Sequence, residues 1–407
     1  MQIANGSDSN PAGRHHAGRF KTQATYLTLP YSDELELSVL VRGLQFSSSG
    51  PSGTTTAQVT MKIAQVAPLF ESVPPVAYGG TERVVANLVE EFIDLGHEVT
   101  LFASGDSTCR AEIVPVSPRA LRLDPSCRDH LAWHVLLMER VIQQAERFDI
   151  VHFHTGHVHF PMARRLGVPH VTTMHGRLDL PELAPLHIEF CDVPLVSISN
   201  AQRQPLPEAN WVATIPHGVA DTLRPSTEAG SYFAFLGRVC SEKGVDRAIQ
   251  IATALKHPLK IAAKVDPADV RYFEREIKPL LDNPLIEFVG EIGEDQKSEF
   301  LGRARALLFP IDWPEPFGLV MIESLACGTP VVAFRNGSVP EIIDDQHTGF
   351  IVDTMEEAMS AARRVHRLSR AACRQAFEQR FTARRMAEQY VATYMRIITK
   401  HRSDAAA

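Results

Sequence analysis

From residue 61 onward, short runs of apolar residues alternate with longer stretches in which apolar residues recur every three or four positions. The short runs are typical of buried strands, and the longer stretches are typical of amphipathic helices. A regular alternation of the two predicts βαβ units around a parallel sheet. The predicted fold class is therefore α/β.

The first βαβ unit has clear boundaries in the sequence. Residues 62–67 form an apolar run, Thr81 is the predicted N-cap of the following helix, and Gly96 ends that helix before a strand at 99–103. Further strands are predicted at 150–153, 170–174 and 193–198. The apolar positions of the first helix are Val84, Val85, Leu88, Phe92 and Leu95.

A segment rich in Thr, Pro, Ser and Gly at 221–231 interrupts this alternation, and a new apolar run begins at Tyr232. We therefore place a domain boundary there, with a first Rossmann-like domain at 61–225 and a second at 226–380. The strands predicted for the second domain are at 259–265, 286–289, 306–310 and 330–334.

The two ends of the chain follow different patterns. Residues 1–60 contain clusters of Gly, Ser, Thr and Asn, which predict a disordered extension, and Met61 would then be a natural start just before the first strand. Residues 381–401 have helical spacing and are expected to pack across both domains. The apolar face of this last helix consists of Met386, Tyr390, Tyr394 and Ile397.

Composition and charge exclude several classes of protein. Lys and Arg number 41 against 48 Asp and Glu, so the net charge of −7 argues against a nucleic-acid partner. The sequence has no apolar run of about 18 residues and no charged-then-apolar N-terminus, which predicts a soluble protein without a secretion signal. The arginines between 363 and 374 are interpreted as a solvated helix face, and a peripheral membrane contact is the alternative.

The six cysteines are widely spaced and include no CxxC pair. Neither a zinc knuckle nor a disulfide framework is indicated, and a reducing cytoplasm is the expected location.

The segment 313–323 carries two carboxylates, Glu315 and Glu323, separated by seven residues. Flanking prolines keep Glu315 in a loop, and Gly318 marks the start of a helix whose amides and dipole attract anions. Glu323 lies about 7.5 Å further along that helix, which resembles the span of a diphosphate. The spacing therefore favours a nucleotide sugar, with one acid on sugar hydroxyls and the other on ribose; two solvated acids are the alternative.

This segment resembles the Glu-x7-Glu element of the retaining glycosyltransferases of family four, and the resemblance extends from Met61 to about Lys400. It implies the GT-B fold, in which two Rossmann-like domains face each other across a cleft. It also implies that Glu315 holds the transferred sugar and Glu323 the ribose. The donor-binding candidates between the two acids are Phe317, Gly318 and Leu319.

A second matching segment, 235–244, contains Arg238 and Lys243 at a strand-to-helix turn. Cleavage of the donor builds negative charge on the leaving diphosphate, and fixed cations stabilise that charge most strongly in the transition state. The resemblance gives both residues this catalytic and donor-binding role. Ordinary surface residues are the alternative.

Candidates in the first domain are a glycine pair and a histidine. Gly79 and Gly80 precede the first helix, where glycine lets the backbone approach a ligand, and the resemblance places them beside the donor; a tight turn is the alternative. His175 ends a predicted strand, where α/β sheets present ligand contacts. The resemblance places a histidine there close to the transferred sugar, whereas a buried structural histidine is the alternative.

Four histidines alternate between residues 152 and 159, a pattern that could indicate a metal site. Gly156 interrupts the run and no carboxylate or cysteine joins it, so we predict no metal and assign His154 to the acceptor side. His217 stands where the family commonly has asparagine, and we assign it no role. Glu341 lies in a segment that matches the family and is interpreted as packing of the second-domain site.

The predicted function is that of a retaining, metal-independent hexosyltransferase that moves a sugar from a nucleoside diphosphate sugar to an acceptor hydroxyl. No cofactor and no covalent glycosyl-enzyme are expected, and Arg238 and Lys243 would supply the charge that a metal otherwise provides. An epimerase or hydrolase of the same fold and a non-catalytic nucleotide-sugar sensor are the alternatives. A dehydrogenase is disfavoured because no GxGxxG follows the first strand. UDP, GDP and ADP donors are all compatible with the sequence.

Overall fold

The computed structural model describes residues 59–76, 79–226 and 230–406. The predicted disordered extension therefore lies outside the described residues, except for Val59 and Thr60. Within the described residues the chain forms two parallel sheets, one before and one after the segment at 221–231. The predicted α/β class with two Rossmann-like domains is confirmed.

The first sheet has the strand order β3-β2-β1-β4-β5-β6-β7, and all its neighbouring strands are parallel. Its central strands are buried on both faces, which explains their continuous apolar runs. The order reverses between β1 and β4, where a crevice for ligands forms at the carboxyl ends. Its strands are β1 (Lys62–Val66), β2 (Glu98–Ala103), β3 (Glu112–Pro115), β4 (Ile150–Phe153), β5 (His170–Thr173), β6 (Leu195–Ser197) and β7 (Trp211–Thr214).

The second sheet has the order β10-β9-β8-β11-β12-β13 and is also parallel throughout. Its order reverses between β8 and β11, so it has a ligand crevice of its own at the corresponding place. Its strands are β8 (Tyr232–Arg238), β9 (Leu259–Lys264), β10 (Ile286–Gly290), β11 (Ala304–Phe309), β12 (Val331–Phe334) and β13 (Gly349–Val352).

Helices connect the strands and cover the faces of the sheets, as parallel connections require. Helices of the first domain are α1 (Gly80–Asp94), α2 (His130–Ile142), α3 (Phe160–Ala163), α4 (Leu183–Glu189) and α5 (Asn200–Arg203). Helices that follow β8 are α6 (Val245–Ala254), α7 (Val270–Tyr272), α8 (Glu294–Gly302), α9 (Leu319–Ala326), α10 (Val339–Ile342), α11 (Met355–Arg364), α12 (Arg370–Arg380) and α13 (Ala383–Ala406). None of the described helices is long and apolar enough to cross a membrane.

Helix α1 begins earlier than the sequence predicts. Arg83 N donates to Gly79 O at 3.1 Å, so Gly79 is the N-cap and Thr81 already lies inside the first turn. No side chain caps this end of the helix. Glycine is required at 79 because a Cβ there would lie 2.6 Å from Pro75 Cβ.

The last helix returns to the first domain. An isolated parallel β-bridge pairs Val219 with Thr382, just before α13 begins. Helix α13 then packs on the core that contains α1 and the first sheet. Met386, Tyr390 and Tyr394 are spaced by four, so Ile398 continues the buried stripe instead of the predicted Ile397. The buried apolar residues of α13 in this core are Met386, Ala387, Tyr390, Tyr394 and Ile398.

Candidate active site

The carboxyl ends of both sheets open on one cavity of about 900 Å³, lined by loops from both domains. This is the cleft at which the two strand-order reversals meet. All the residues singled out from the sequence as catalytic, donor-binding or acceptor-side line this cavity. They are Gly79, Gly80, His154, His175, Arg238, Lys243, Glu315, Phe317, Gly318, Leu319 and Glu323.

Glu315 is buried in the loop after β11, where two donors hold its carboxylate. Lys243 Nζ and Trp313 Nε1 both donate to Glu315 Oε2, the indole nitrogen at 2.9 Å. Ser338 N donates to the backbone carbonyl of Glu315 at 2.9 Å. Gly337 approaches so closely that a Cβ there would lie 2.2 Å from the Glu315 carbonyl oxygen. The position of this acid is therefore set by packing as well as by charge.

The two predicted cations reach the cavity from the end of β8 and from the turn before α6. Arg238 pairs with Asp269 at 3.5 Å, and Lys243 lies 4.9 Å from the centre of the Trp313 ring as well as beside Glu315. Gly244 follows Lys243 in a left-handed conformation, and a Cβ there would lie 2.2 Å from the carbonyl oxygen of Pro310. A glycine at this turn therefore allows the lysine to face the cleft.

Two helix starts meet across the cavity. Gly318 has φ 80° and begins α9, while a Cβ on Gly80 at the start of α1 would lie 3.5 Å from Leu319 Cδ1. The positive ends of helices from both domains thus converge, and their first amides favour an anion.

Glu323 is buried inside α9 and pairs with a residue that sequence reasoning missed. Lys297 Nζ on α8 donates to Glu323 Oε1 at 2.6 Å and also lies 2.8 Å from Glu294 Oε2. Glu294 in turn pairs with Arg83 of α1. These ion pairs link the second-domain acid to the first domain across the cleft.

His175 lies just after β5 and is part of a chain of hydrogen-bonded side chains. His175 Nε2 is 2.8 Å from His154 Nδ1, and His154 Nε2 is 2.8 Å from Gln65 Oε1. On the other side, His175 Nδ1 is 3.3 Å from His217 Nε2, and the two rings are stacked. Burial lowers the pKa of His175 to about 3, so its imidazole is neutral at physiological pH.

The direction of this chain follows from Gln65. Its amide nitrogen donates to Tyr394 OH at 3.2 Å, which leaves Oε1 to accept from His154 Nε2. His154 Nδ1 then accepts from His175 Nε2, and His175 Nδ1 accepts from His217 Nε2. Burial lowers the pKa values of His154 and His217 well below the usual range, which keeps all three rings neutral.

The other histidines of β4 and the following loop belong to the polar interior of the first domain. His152 Nδ1 lies 2.6 Å from Tyr394 OH, and His159 Nε2 lies 2.7 Å from Thr172 Oγ1. In the described ranges, no group of three or more His, Cys, Asp or Glu side chains is arranged to hold a metal ion.

Glu82, in the first turn of α1, is a buried carboxyl on the first-domain side of the cavity that sequence reasoning also missed. Burial raises the pKa of this group to about 7, and the nearby carboxylate of Glu71 adds to the effect. Glu71 itself pairs with Arg122 at 2.8 Å. Glu82 therefore carries only part of its negative charge near neutral pH.

Two adjoining family models match this chain. The model for "Glycosyltransferase Family 4" matches residues 78–222, and the model for "Glycosyl transferases group 1" matches residues 224–383. Together they span about three quarters of the sequence. The chain belongs to glycosyltransferase family 4.

Among curated relatives of this family 4 glycosyltransferase is the D-inositol 3-phosphate glycosyltransferase of Acidothermus cellulolyticus. It is 27% identical over 343 residues, which cover 70% of this chain and 76% of the relative. The alpha-maltose-1-phosphate synthase of Mycolicibacterium smegmatis is 24% identical over 341 residues, covering 71% and 84% of the two chains.

Solved structures share the fold along nearly their whole length. AviGT4, a glycosyltransferase involved in avilamycin A biosynthesis, has a TM-score of 0.64 and 25% identity and covers 83% of this chain and 98% of its own. Anabaena HepE in complex with UDP and glucose has a TM-score of 0.65 and 16% identity and covers 82% and 99%. The predicted GT-B architecture is confirmed by this likeness.

Several residues of this family 4 glycosyltransferase lie differently from what the sequence suggested. His154 lines the cavity, but Gln65 and His175 occupy its ring nitrogens, so it lies behind His175. His217, to which we assigned no role, contacts His175. Glu341 accepts hydrogen bonds from the backbone of Asn200 and Ala201 at the start of α5, so it joins the two domains instead of packing the second-domain site.

Phe317 lies mostly in the core of the second domain. The centre of its ring lies 5.0 Å from that of His217, with the two rings edge to face. Its backbone carbonyl accepts from Ser338 Oγ at 2.8 Å, which fixes the loop before α9. Phe317 therefore positions its neighbours in the second-domain half of the cleft.

Proposed function

We propose that this family 4 glycosyltransferase moves a hexose from a nucleoside diphosphate sugar to an acceptor hydroxyl, with retention of configuration and without a metal ion. The observation that carries the proposal is the paired arrangement of the two acids. Glu315 lies beside Lys243 in the loop before α9, and Glu323 lies beside Lys297 within α9. All four side chains line one cavity. A curated relative that is named as a glycosyltransferase supports transfer over epimerisation.

The donor would lie mainly on the second domain. Its diphosphate would bind at the start of α9 between Gly318, Arg238 and Lys243, with the amides at Gly79 and Gly80 opposite. Glu315 would accept hydrogen bonds from the hydroxyls of the transferred sugar, and Glu323 from the ribose. His175 is neutral and presents an accepting Nδ1, so it would receive a hydrogen bond from a sugar hydroxyl in place of the one from His217.

In the transfer step, the bond between the anomeric carbon and the diphosphate oxygen breaks while the acceptor oxygen bonds to that carbon on the same face. The acceptor's hydroxyl proton passes to the departing phosphate oxygen, so no covalent sugar–protein intermediate is needed. Negative charge grows on the diphosphate, and Arg238, Lys243 and the dipole of α9 stabilise it most in the transition state.

The first test is a thermal-shift screen with UDP-, GDP- and ADP-sugars. A donor at 100 times its dissociation constant stabilises the protein by about 2.7 kcal/mol. Turnover is then followed by release of the nucleoside diphosphate, with the anomer of the product assigned by NMR. Lys243→Ala is expected to lower turnover at least about 100-fold, as loss of one group that stabilises developing charge does elsewhere.

The control variant is Lys278→Ala, because Lys278 is exposed, pairs only locally with Glu274 and lies outside the cavity. It should keep wild-type turnover. Loss of activity in excess chelator that manganese restores would overturn metal independence, and an inverted product would overturn retention. Binding of a nucleotide sugar without transfer to any acceptor, water included, would favour the alternative of a non-catalytic nucleotide-sugar sensor.

A further inference from the structure

The first-domain half of the cleft carries large apolar side chains that are exposed. Leu131 in the first turn of α2 is 61% exposed, Leu180 in the loop after β5 is 43% exposed, and Val158 in the loop after β4 is 38% exposed. They come from three separate places in the chain, and all three line the same cavity. Single exposed apolar residues are common, but several that converge on one cavity indicate an apolar ligand.

The two halves of the cavity differ in polarity. The charged side chains that line the second-domain wall include Arg238, Lys243, Lys297, Glu315 and Glu323, which suits a nucleoside diphosphate. The apolar residues lie on the opposite wall, which the donor leaves to the acceptor. The polarity of the acceptor can therefore be inferred separately from that of the donor.

The arginines that line the first-domain wall are paired with carboxylates. Arg122 pairs with Glu71 at 2.8 Å, Arg177 pairs with Asp179 at 2.7 Å, and Arg83 pairs with Glu294 across the cleft. A phosphorylated acceptor would compete with the carboxylates that already hold these arginines and would approach the carboxyl of Glu82. The wall therefore disfavours an anionic acceptor.

We propose that the acceptor is an uncharged hydroxyl compound with an apolar group, and that this group lies on Leu131, Val158 and Leu180 while the hydroxyl reaches the donor sugar beside His175. This inference rests on the proposed function, because it assigns the acceptor of the same reaction. The acceptor oxygen forms the new bond to the anomeric carbon, the diphosphate leaves, and the hydroxyl proton leaves with it.

The test compares three probes that share a glucose unit: n-octyl β-D-glucopyranoside below its critical micelle concentration, methyl β-D-glucopyranoside and glucose 6-phosphate. Binding to the full-length protein is measured by calorimetry, with and without a nucleotide sugar. Because each methylene that leaves water adds to affinity, the octyl compound is expected to bind at least about tenfold more tightly than the methyl compound. Glucose 6-phosphate is expected to bind most weakly.

A triple variant, Leu131→Ser with Val158→Ser and Leu180→Ser, is expected to bind the octyl compound about as weakly as the methyl compound while keeping the thermal shift with nucleotide sugars. Ile188→Ser is the matched control, since Ile188 is 73% exposed on the same domain but does not line the cavity. It should keep the wild-type affinity for the octyl compound.

Equal affinities for the octyl and methyl compounds, or no measurable binding of either, would overturn the inference. Tightest binding by glucose 6-phosphate, or full octyl affinity in the triple variant, would do the same. A failure of the proposed function is distinguishable, because it would appear as absent nucleotide-sugar binding in the wild-type protein. The preference between octyl and methyl compounds is measured without the donor as well.

Discussion

Polar side chains in the cleft are held by partners that are distant in the sequence. Glu323 pairs with Lys297, and His175 lies between His154 and His217. A buried polar group without a partner costs free energy, so each of these side chains depends on its partners for its position. For His175 the consequence is chemical, because its neighbours decide which ring nitrogen carries the proton.

A substitution at His217 tests this dependence. His217→Leu removes the donor that keeps His175 Nδ1 unprotonated before a sugar hydroxyl takes its place, and one hydrogen bond is worth about 0.5–1.5 kcal/mol, so turnover should fall up to about tenfold. His217→Asn keeps an N–H donor and should recover most of the activity. Steady-state kinetics check both variants, and long-range proton–nitrogen NMR spectra should show His175 Nδ1 unprotonated in the wild type. A protonated Nδ1, or equal activity of the two variants, would contradict the assignment.

The start of helix α9 organises the second-domain half of the cleft. Gly318 begins α9 with a φ of 80°, which residues other than glycine rarely adopt. A Cβ there would also lie 2.8 Å from Met321 Cε and 3.3 Å from Glu315 Cγ. One glycine therefore sets both the start of the helix and the place of the neighbouring acid.

Gly318→Ala is expected to lower the free energy of unfolding by about 1–2 kcal/mol and to weaken nucleotide-sugar binding about tenfold, since the start of α9 must shift. Urea unfolding and titration with the donor measure the two effects. Gly167→Ala is the matched control, because Gly167 has a φ of 67° in an exposed loop with nothing within 4 Å of the added Cβ. It should lose a similar stability but keep wild-type affinity, and an equal loss of affinity in both would refute the role of Gly318.

At the scale of the whole molecule, α13 connects the end of the chain to the polar interior of the first domain. Tyr394 OH lies 2.6 Å from His152 Nδ1, and Tyr390 OH lies 2.7 Å from Thr173 Oγ1. Both tyrosines are fully buried against α1. The last helix is therefore part of the first domain's core, and the histidine network extends from it to the cleft.

The buried histidines make stability sensitive to acid. Burial lowers the pKa values of His152, His154, His159, His175 and His217. In the unfolded chain a histidine has a pKa near 6.5, so below that pH the unfolded state binds more protons and the free energy of unfolding falls. Burial raises the pKa values of Glu82 and Glu91, so these two carboxyl groups act in the opposite sense but are fewer than the five histidines.

We expect the free energy of unfolding to fall between pH 7 and pH 5.5, measured by urea unfolding at each pH. His347→Gln, which replaces an exposed histidine, should leave the slope unchanged, whereas His159→Gln should reduce it. Constant stability over this range would show that the histidines are not neutral in the folded protein.

Much of the architecture could be predicted because a buried strand requires a continuous apolar run. The central strands β1, β4 and β8 were therefore visible in the sequence. The edge strands β3, β7 and β13 were not predicted. Each of the three has only four residues, and β3 and β7 are only partly buried, so their apolar runs are too short to stand out in the sequence.

The sequence by itself determined the α/β class and indicated several acids, cations and glycines of the cleft, because these depend on local spacing and residue type, but it missed Glu82 and Lys297. Tertiary structure alone decided their partners. Lys297 lies 26 positions from Glu323, His217 lies 42 from His175, and Gln65 lies 89 from His154. Such contacts form only when separate strands and helices end at the same edge, so no local pattern predicts them. The protonation of His175 follows from those contacts, and Leu131, Val158 and Leu180 share one wall of the cavity for the same reason, because separate loops end at the same edge.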